Sequence, residues 1–468
     1  MVTSLVKKYI GDKKFYKMVL AIAIPIIIQN GISNFVNLLD NVMVGQLGTE
    51  AMSAVSIANQ LFTVFIILIF GVVSGAGIFS AQYHGSGDTE GIRSAFRFKV
   101  IAVLATTVAG IAFIAFFDDQ LISLFLHESD SSGSLELTLA LSKEYLAVML
   151  IGLVPTAITQ IYASTLRETA KTVPPMAASI AAILTNLILN YILIFGHFGA
   201  PAMGVKGAAI ATVISRFVEA LALVLWTHLN TKKCPFIKGA FRSFRVPKDL
   251  VYRIFLSGLP IALNELFGSL GVTFISQSYS TRGLDVVAAL NAATTISNLF
   301  AIVYLSLGNS ISIITGNLLG TGKLEEARDT NRKLVAFSVM SATVTGGILA
   351  ALSGVIPKLY NVSADVSALA TFMILVIAIL APFSSFAHAS YFTLRSGGKV
   401  LITVLLDSGY MWAVSVPLSF ILSRFTPLNI FWMYPICQGL DIIKATFGAI
   451  LLSKVNWAQN LVETNNRK

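Results

Sequence analysis

Residues 24–48 read IPIIIQNGISNFVNLLDNVMVGQLG, an apolar stretch that is long enough to cross a bilayer. It carries a proline near its start, Pro25, then four amides, and a carboxylate, Asp40, towards its end. Polar groups are costly in hydrocarbon, so a spanning segment that keeps them lines a cavity or an ion path more often than it faces lipid. The alternative is that Asp40 is an interfacial carboxylate at the point where the helix leaves the membrane.

The composition of the whole chain is that of a membrane protein. Its 468 residues are 55% hydrophobic and only 12% charged, with a mean hydropathy of +0.78. A soluble protein carries about twice that charged fraction. We therefore predict an all-α membrane protein with twelve transmembrane helices. The predicted spans lie at about residues 17–40, 51–82, 94–117, 139–163, 173–195, 206–229, 254–277, 286–316, 332–354, 366–393, 399–423 and 430–453.

The distribution of lysine and arginine predicts the orientation of these spans. If both termini lie on one side, 26 of the 33 basic residues fall in segments on that side and five on the other. Because basic residues concentrate on the inner side, we expect both termini in the cytoplasm and the protein in the plasma (inner) membrane. Residues 1–20 lack a short apolar core with a cleavage site, so we expect a cytoplasmic lead-in there.

A basic hydrophilic segment at about residues 230–253 divides the spans into two sets of six. We therefore predict an N-lobe at 1–229, a cytoplasmic linker at 230–253 and a C-lobe at 254–468. We interpret the charge of the linker as an inside signal that also contacts anionic lipid headgroups. The net charge of +10 is thus explained by basic residues beside the membrane. We therefore expect the lipid bilayer, and not nucleic acid, to be the partner of these residues.

The two halves repeat one another in sequence. At an offset of 235, Gln82-x-x-Gly-x-Gly corresponds to Asn317-x-x-Gly-x-Gly, and Pro25 corresponds to Pro260. Because each half has an even number of spans, both halves have the same orientation, and their symmetry axis runs along the membrane normal. We therefore predict two six-helix bundles related by pseudo-twofold symmetry, as in transporters that rock two bundles around a central site.

Four polar residues of the first half lie at a similar depth, in the outer third of the membrane. Counting 1.5 Å per residue from the ends of their spans places Asp40, Asn186, Asn190 and Thr212 at this level. Their oxygens suit a hard cation, and the single carboxylate suits a proton equally well. The alternative is ordinary hydrogen bonding between helices.

The second half also contains ionisable residues within its predicted spans. Glu265 lies near the middle of the membrane, where a carboxylate is expensive unless it has a function or is neutralised. His388 and Asp407 lie at similar depth, and we expect either a proton-responsive pair or a static hydrogen bond.

Two further sets of charges are spaced as pairs on one helix. Arg216 and Glu219 are three residues apart, as are Asp441 and Lys444. We predict that each is a self-neutralising i,i+3 pair.

No sequence pattern indicates catalysis or nucleotide binding. The chain has no His-Glu-x-x-His pattern and no Gly-x-x-x-x-Gly-Lys-Ser/Thr phosphate loop. Its two cysteines, Cys234 in the basic segment and Cys437 in an apolar run, predict neither a disulfide nor a metal site. We therefore expect no enzyme activity, no cofactor, and transport that is driven by an ion gradient.

Several pieces of the sequence resemble the multidrug and toxic compound extrusion (MATE) family, and the similarity covers essentially the whole chain. They are LLDNVMVGQLG in span one, the QYHGSGD turn, NLILNYILIFG followed by GVKGAAIAT, LPIALNELFGSLG in span seven and the TLRSGGK turn. The resemblance implies two six-helix lobes that rock between inward-open and outward-open states. It also implies export of amphipathic, mostly cationic small molecules in exchange for Na⁺ or H⁺. We expect a monomer.

The resemblance also implies roles for particular residues. Asp40 matches the first-span acid of the family's N-lobe site, Asn186 and Thr212 match its polar partners, and Glu265 matches the seventh-span acid of the C-lobe site. Asn190 stands where some members have aspartate. Ser384, which we group with His388 and Asp407 as a possible secondary polar cluster, stands near a position where members with a C-lobe Na⁺ site have aspartate. These departures leave the coupling ion open.

Two other functions compete with multidrug antiport. A flippase for lipid-linked precursors, from the same exporter superfamily, is expected to have a cationic cavity. The charges that we count as membrane-embedded are instead Arg216 and Lys444 against the acidic residues Asp40, Glu219, Glu265, Asp407 and Asp441. A membrane-embedded lipid enzyme would need a catalytic motif that the sequence lacks.

Overall fold

The computed structural model describes residues 8–125, 135–359 and 362–463. Within these ranges the chain forms twelve helices that are long and apolar enough to cross a membrane, and each overlaps one predicted span. In chain order, α1 to α12 are Lys13–Gly45, Thr49–Ser86, Thr89–Phe116, Leu135–Glu168, Val173–Phe195, Gly204–Leu229, Lys248–Ser280, Leu284–Gly320, Leu324–Leu352, Ala364–Ser396, Val400–Phe425 and Ile430–Lys454. Both chain ends, residues 126–134 after α3, and residues 360 and 361 lie outside the described residues.

Most helices extend beyond the predicted spans, and α9 shows the reason. It begins at Leu324, eight residues before the span that hydropathy predicts. Glu325 and Glu326 occupy its first turn, where carboxylates favour a helix N-terminus. Glu325 then pairs with Arg328 at 2.8 Å, one turn along the same helix. Local charge therefore continues the helix past the apolar run.

The described chain folds into two compact units whose boundaries lie within helices. The N-half unit comprises Ile28–Ser80 and Asp88–Ala262, and the C-half unit comprises Met1–Ile27, Ala81–Gly87 and Leu263–Lys468. Helices α1 and α7 therefore each divide just after a proline, Pro25 and Pro260, which are the matched prolines of the repeat. The predicted lobes, 1–229 and 254–468, were assigned from the order of the spans and not from contacts, and they stay a prediction.

In the N-half unit, α6 packs against both α4 and α5, and the basic linker lies against α3. The side chain of Arg97 donates to the carbonyl oxygens of Ala240 at 2.8 Å and Gly239 at 3.0 Å. Arg93 donates to the carbonyl oxygen of Phe236 at 3.1 Å, and the Phe236 ring is buried. The linker is therefore an ordered part of this unit, which its charge alone did not predict.

In the C-half unit, α10 packs against α8, α9 and α12 around a core of apolar side chains. The two turns of the sequence repeat meet each other in this unit. A Cβ atom added to Gly85 would overlap the carbonyl group of Asn317, and one added to Gly320 would overlap the carbonyl group of Gln82. Each glycine thus contacts the first residue of the other copy, which is a local pseudo-twofold relation.

Helix α11 departs from regular α geometry in its middle. Residues Leu405–Gly409 and Met411–Ser415 form two π-helical turns between regular helical ends. Such turns are rare and are found disproportionately at functional positions. Asp407 lies in the first of them.

Candidate functional site

The four polar residues that were predicted to share a depth in the first half form one hydrogen-bonded chain. Asn190 Nδ2 on α5 donates to Asp40 Oδ1 on α1 at 2.7 Å and to Asn186 Oδ1 at 3.2 Å. Asn186 Nδ2 donates to Thr212 Oγ1 on α6, also at 3.2 Å. The structure therefore brings Asp40, Asn186, Asn190 and Thr212 together from three helices.

The helix periodicity of α5 explains why its two asparagines point inwards. Asn186 and Asn190 are four residues apart, so they lie one above the other on the same face. They are buried, whereas Leu184 and Ile188 on the outer face are exposed. Since small residues such as Ala182 share the buried face, neighbouring helices approach the amides closely.

The amides around Asp40 have unused hydrogen-bonding capacity. Asn190 Oδ1 is buried and receives no hydrogen bond from the described residues. The neighbours of Asn186 are best satisfied when its amide nitrogen faces Asp40. The nitrogen then donates to Asp40 Oδ1 at 3.0 Å and Oδ2 at 3.2 Å, and the amide oxygen accepts from Thr212. Both amides of α5 are therefore within donating distance of the carboxylate, and Asn190 Oδ1 stays available to a cation or a proton donor.

A second polar chain lies in the same unit and includes the predicted pair on α6. Arg216 Nη1 lies 3.0 Å from Glu219 Oε2, which confirms that pair. Glu219 Oε1 also accepts from Ser179 Oγ at 2.5 Å, and Gln29 Nε2 donates to the same hydroxyl at 2.7 Å. Arg167 Nη1 lies 3.5 Å from Gln29 Oε1.

Sequence reasoning missed Ser179, although a signal for it existed. Ser179 precedes Asn186 by seven residues and Asn190 by eleven, so all three share one face of α5. The polar face of α5 therefore serves both chains, one through its serine and one through its asparagines.

In the C-half unit, Asp407 is the centre of the polar contacts. Its Oδ1 lies 2.6 Å from Lys444 Nζ on α12, and its Oδ2 accepts from Asn264 Nδ2 on α7 at 2.8 Å. Asn264 Oδ1 in turn accepts from the backbone N–H of Ser408 at 3.2 Å. Asp407 thus joins three helices at the π-helical turn of α11.

The predicted pair of Asp441 with Lys444 is wrong. Lys444 is paired with Asp407, and Asp441 instead accepts a hydrogen bond from the hydroxyl of Ser384 on α10. The i,i+3 spacing identifies a possible partner on the same helix. It does not reveal that neighbouring helices place the carboxylate of Asp407 beside Lys444 and the hydroxyl of Ser384 beside Asp441.

The structure places His388 with Ser384 but not in a direct bond with Asp407. His388 Nδ1 donates to the carbonyl oxygen of Ser384, one turn earlier on α10, at 2.8 Å. Its ring lies 5.6 Å from the ring of Tyr304. Within the described residues His388 and Asp407 share no hydrogen bond. Of the residues predicted as a secondary cluster, Ser384 and His388 therefore belong to one network, with Asp441, and Asp407 belongs to another, with Lys444 and Asn264.

Glu265 lies next to Asn264 on α7 and is partly buried. Within the described parts of the chain its carboxylate makes no hydrogen bond or ion pair. The charges of Arg395 and Asp407 act on it electrostatically. Glu265 is therefore a carboxylate without a direct partner beside the Asp407 network.

Known proteins resemble this chain along nearly its whole length. The family model MatE matches residues 25–192 and 260–422. The probable multidrug resistance protein NorM of Thermotoga maritima is 24% identical over 468 residues, covering 99% of this chain and 98% of the relative. The multidrug resistance protein MdtK of Edwardsiella ictaluri is 26% identical over 455 residues, covering 95% of each chain.

Solved structures show the same fold. A MATE family transporter of the MOP superfamily, solved in an outward-facing conformation, superposes with a TM-score of 0.84 at 21% identity. The superposition covers 96% of this chain and 98% of that one. The two segments that the family model matches contain Asp40, Asn186 and Asn190 in the first and Glu265 and Asp407 in the second.

Proposed function

The chain belongs to the MatE family of membrane transporters, and from this premise we propose that it is a secondary active multidrug efflux antiporter. It exports amphipathic, mostly cationic compounds in exchange for Na⁺ or H⁺ by alternating access. The relatives from Thermotoga maritima and Edwardsiella ictaluri are named multidrug resistance proteins, which supports small-molecule efflux. The observation that carries the proposal is the Asp40 carboxylate beside the unpartnered oxygen of Asn190.

Asp40 is proposed as the residue that binds the coupling ion in the N-half unit. An ionised carboxylate that is partly withdrawn from water is costly unless it is paired or neutralised. A hydrogen bond from Asn190 offsets part of that cost, and a bound Na⁺ or a proton offsets more. Asn190 Oδ1 then supplies either a ligand for Na⁺ or an acceptor for protonated Asp40. Exchange requires only that the ion and the substrate favour different conformations.

The balance of charge within the spans favours cationic substrates. Glu219 and Asp407 are neutralised by Arg216 and Lys444. Asp40, Glu265 and Asp441 make no ion pair with any described residue. An interior with uncompensated carboxylates attracts cations and repels anions. We propose Glu265 as the second acidic group of the transport cycle.

The test is dye transport by purified protein in sealed proteoliposomes. A Na⁺ gradient and a pH gradient are imposed separately, and the movement of a fluorescent cationic dye is followed. We expect one of the gradients to drive dye movement in the wild type. If neither gradient drives it, the antiport proposal is wrong.

Variants of the two carboxylates test their assigned roles in the same assay. We expect Asp40→Asn and Glu265→Gln to reduce gradient-driven transport to the background of empty liposomes, because an amide has no negative charge to balance a bound cation and takes up no proton near neutral pH. Asp329→Asn is the control, since Asp329 pairs with Lys333 on the exposed start of α9. Wild-type transport by Asp40→Asn or by Glu265→Gln would remove that residue from the coupling mechanism.

A further inference from the structure

A cavity of about 860 Å³ lies in the C-half unit, away from both polar networks. It is bounded by α9, α10 and α12, and three basic side chains line it, namely Arg328, Arg332 and Lys454. No carboxylate is among the described residues that line it. We propose that this cavity is a binding site for an anionic phospholipid, with the phosphate at the basic end and an acyl chain along the apolar walls.

The basic end of the cavity has positive charge that the protein does not neutralise. Arg332 and Lys454 are exposed, and neither makes an ion pair or hydrogen bond with another described residue. Arg328 lies one turn before Arg332 on the same face of α9. It shares its guanidinium between Glu325 at 2.8 Å and Asn456 at 2.9 Å. Two cationic side chains without a protein partner, Arg332 and Lys454, therefore lie at the basic end of the cavity together with the paired side chain of Arg328.

A buried amide in the cavity wall supplies a donor that the protein does not use. Asn331 is only 3% exposed, and it lines the cavity. Its Oδ1 accepts hydrogen bonds from Thr393 at 2.8 Å and Thr315 at 3.3 Å, which fixes the amide. Among the described residues Asn331 Nδ2 has no acceptor. Because Asn331 lines the cavity, this nitrogen can donate to a phosphate or ester oxygen bound there.

The walls beyond the basic end are apolar. Val335 and Val339 continue the same face of α9, Phe386 comes from α10, and Leu452 comes from α12. From Arg332 to Met340 the lining extends roughly 12 Å along α9. Helix α12 is largely exposed, because only 17% of an apolar 18-residue window within it is buried. Charge at one end and hydrocarbon along the rest match the two parts of a phospholipid.

The position and sign of the cavity favour a lipid over a transported compound. The N-terminal end of α9 and the C-terminal end of α12 lie on the side that the basic residues predict as cytoplasmic. Basic pockets between helices on that side recruit anionic headgroups. A cationic substrate would be repelled by Arg328, Arg332 and Lys454. The site is therefore distinct from the proposed transport pathway.

The experiment measures binding of phosphatidylglycerol to the purified full-length protein in detergent, by native mass spectrometry and by thermal stabilisation. Phosphatidylcholine and inorganic phosphate are titrated in parallel. We expect phosphatidylglycerol to bind more tightly than either. If phosphatidylcholine binds as tightly as phosphatidylglycerol, the site does not recognise the charge of the headgroup. If inorganic phosphate binds as tightly, the site does not recognise the acyl chain. Either result overturns the proposal.

Matched variants separate a site from general attraction to charge. Each basic residue near an anionic surface contributes about fivefold to affinity, so Arg332→Gln with Lys454→Gln should weaken phosphatidylglycerol binding about 30-fold. Lys206→Gln with Arg424→Gln removes two exposed charges that lie outside the cavity, on the predicted outer side, and we expect little change. An equal loss in both double variants would overturn the proposal.

A third variant changes the apolar wall without changing charge. Val339→Trp fills the acyl part of the cavity, and we expect it to weaken phosphatidylglycerol binding while dye transport is retained. Unchanged phosphatidylglycerol affinity in this variant would contradict the acyl-chain contact. Because the readout is lipid binding, the result does not depend on whether the antiport proposal holds.

Discussion

Lys99 is a charged side chain that the N-half unit buries completely. Its Nζ lies 2.5 Å from Glu168 Oε2, and none of its side chain is exposed. It also donates to the hydroxyl groups of Ser164 at 3.1 Å and Thr165 at 3.2 Å. Burying two charges is costly, and this arrangement offsets the cost only while both partners are present.

Removing one partner of this pair should destabilise the protein strongly. Glu168→Gln leaves the Lys99 charge buried without a counter-charge, and we expect the free energy of unfolding to fall by about 3–5 kcal/mol. Lys99→Met combined with Glu168→Leu removes both charges and should recover most of the loss. The free energy of unfolding of each variant is measured by titration with a denaturing detergent.

An exposed ion pair provides the control for this prediction. Lys323 and Glu326 are 3.3 Å apart with 67% and 55% of their side chains exposed. We expect Lys323→Gln to change the free energy of unfolding by less than about 1 kcal/mol. If Glu168→Gln unfolds at the same detergent fraction as Lys323→Gln, the buried pair does not stabilise the unit as described.

At the scale of elements, the crossing between the ends of α2 and α8 depends on two glycines. Gly85 faces the backbone of Asn317, and Gly320 faces the backbone of Gln82, so neither position has room for a side chain. The two turns of the sequence repeat differ in the contacts of their first residues, Gln82 and Asn317. The side chain of Gln82 donates to Gln459 at 3.2 Å and accepts from the backbone N–H of Leu461 at 2.7 Å, because the segment after α12 lies against it. Asn317 Oδ1 has no partner among the described residues.

We predict that Gly85→Ala and Gly320→Ala each lower the thermal stability of the purified protein. The added methyl group meets backbone, which cannot rotate away, and overpacking of this kind costs about 1–3 kcal/mol. Gly439→Ala on α12 is the matched control, because a Cβ atom there meets nothing within 4 Å. The control should be neutral or stabilising by up to about 1 kcal/mol, since alanine favours helix more than glycine. Equal melting temperatures for all three variants would contradict the close crossing.

At the scale of the whole molecule, the chain is a multi-pass membrane protein of the MatE family. Which side each loop faces, the cellular membrane and the monomeric state stay predictions from the sequence. The two native cysteines, Cys234 and Cys437, are both buried. Burial also raises the pKa of the Cys234 thiol, which lowers its reactive thiolate fraction at any given pH. Introduced cysteines should therefore label against a low background.

The orientation is tested with single cysteines and a membrane-impermeant maleimide. Lys232→Cys places a thiol in the exposed linker, and Lys206→Cys places one at the start of α6, where the lysine is half exposed. We expect intact cells to label only Lys206→Cys and inside-out vesicles to label only Lys232→Cys. The reverse pattern would show that the basic face is external.

The number, order and approximate limits of the helices could be predicted from hydropathy alone. Their lengths follow from the thickness of the hydrocarbon and the rise of 1.5 Å per residue, and both act along a single helix. The same depth argument grouped Asp40 with Asn186, Asn190 and Thr212, because residues at one level of adjacent helices meet. These properties need no knowledge of which helix faces touch.

Which polar groups are partners could not be predicted in this way, because it depends on how the helices pack. Lys444 pairs with Asp407 on another helix and not with Asp441 on its own, and Glu219 adds Ser179 to its expected arginine. The unused donor of Asn331 likewise becomes visible only once Thr393 is seen to hold its oxygen. Partner choice depends on the rotation and separation of packed helices. Several arrangements satisfy the same periodicity and depth, and only the packed core distinguishes them.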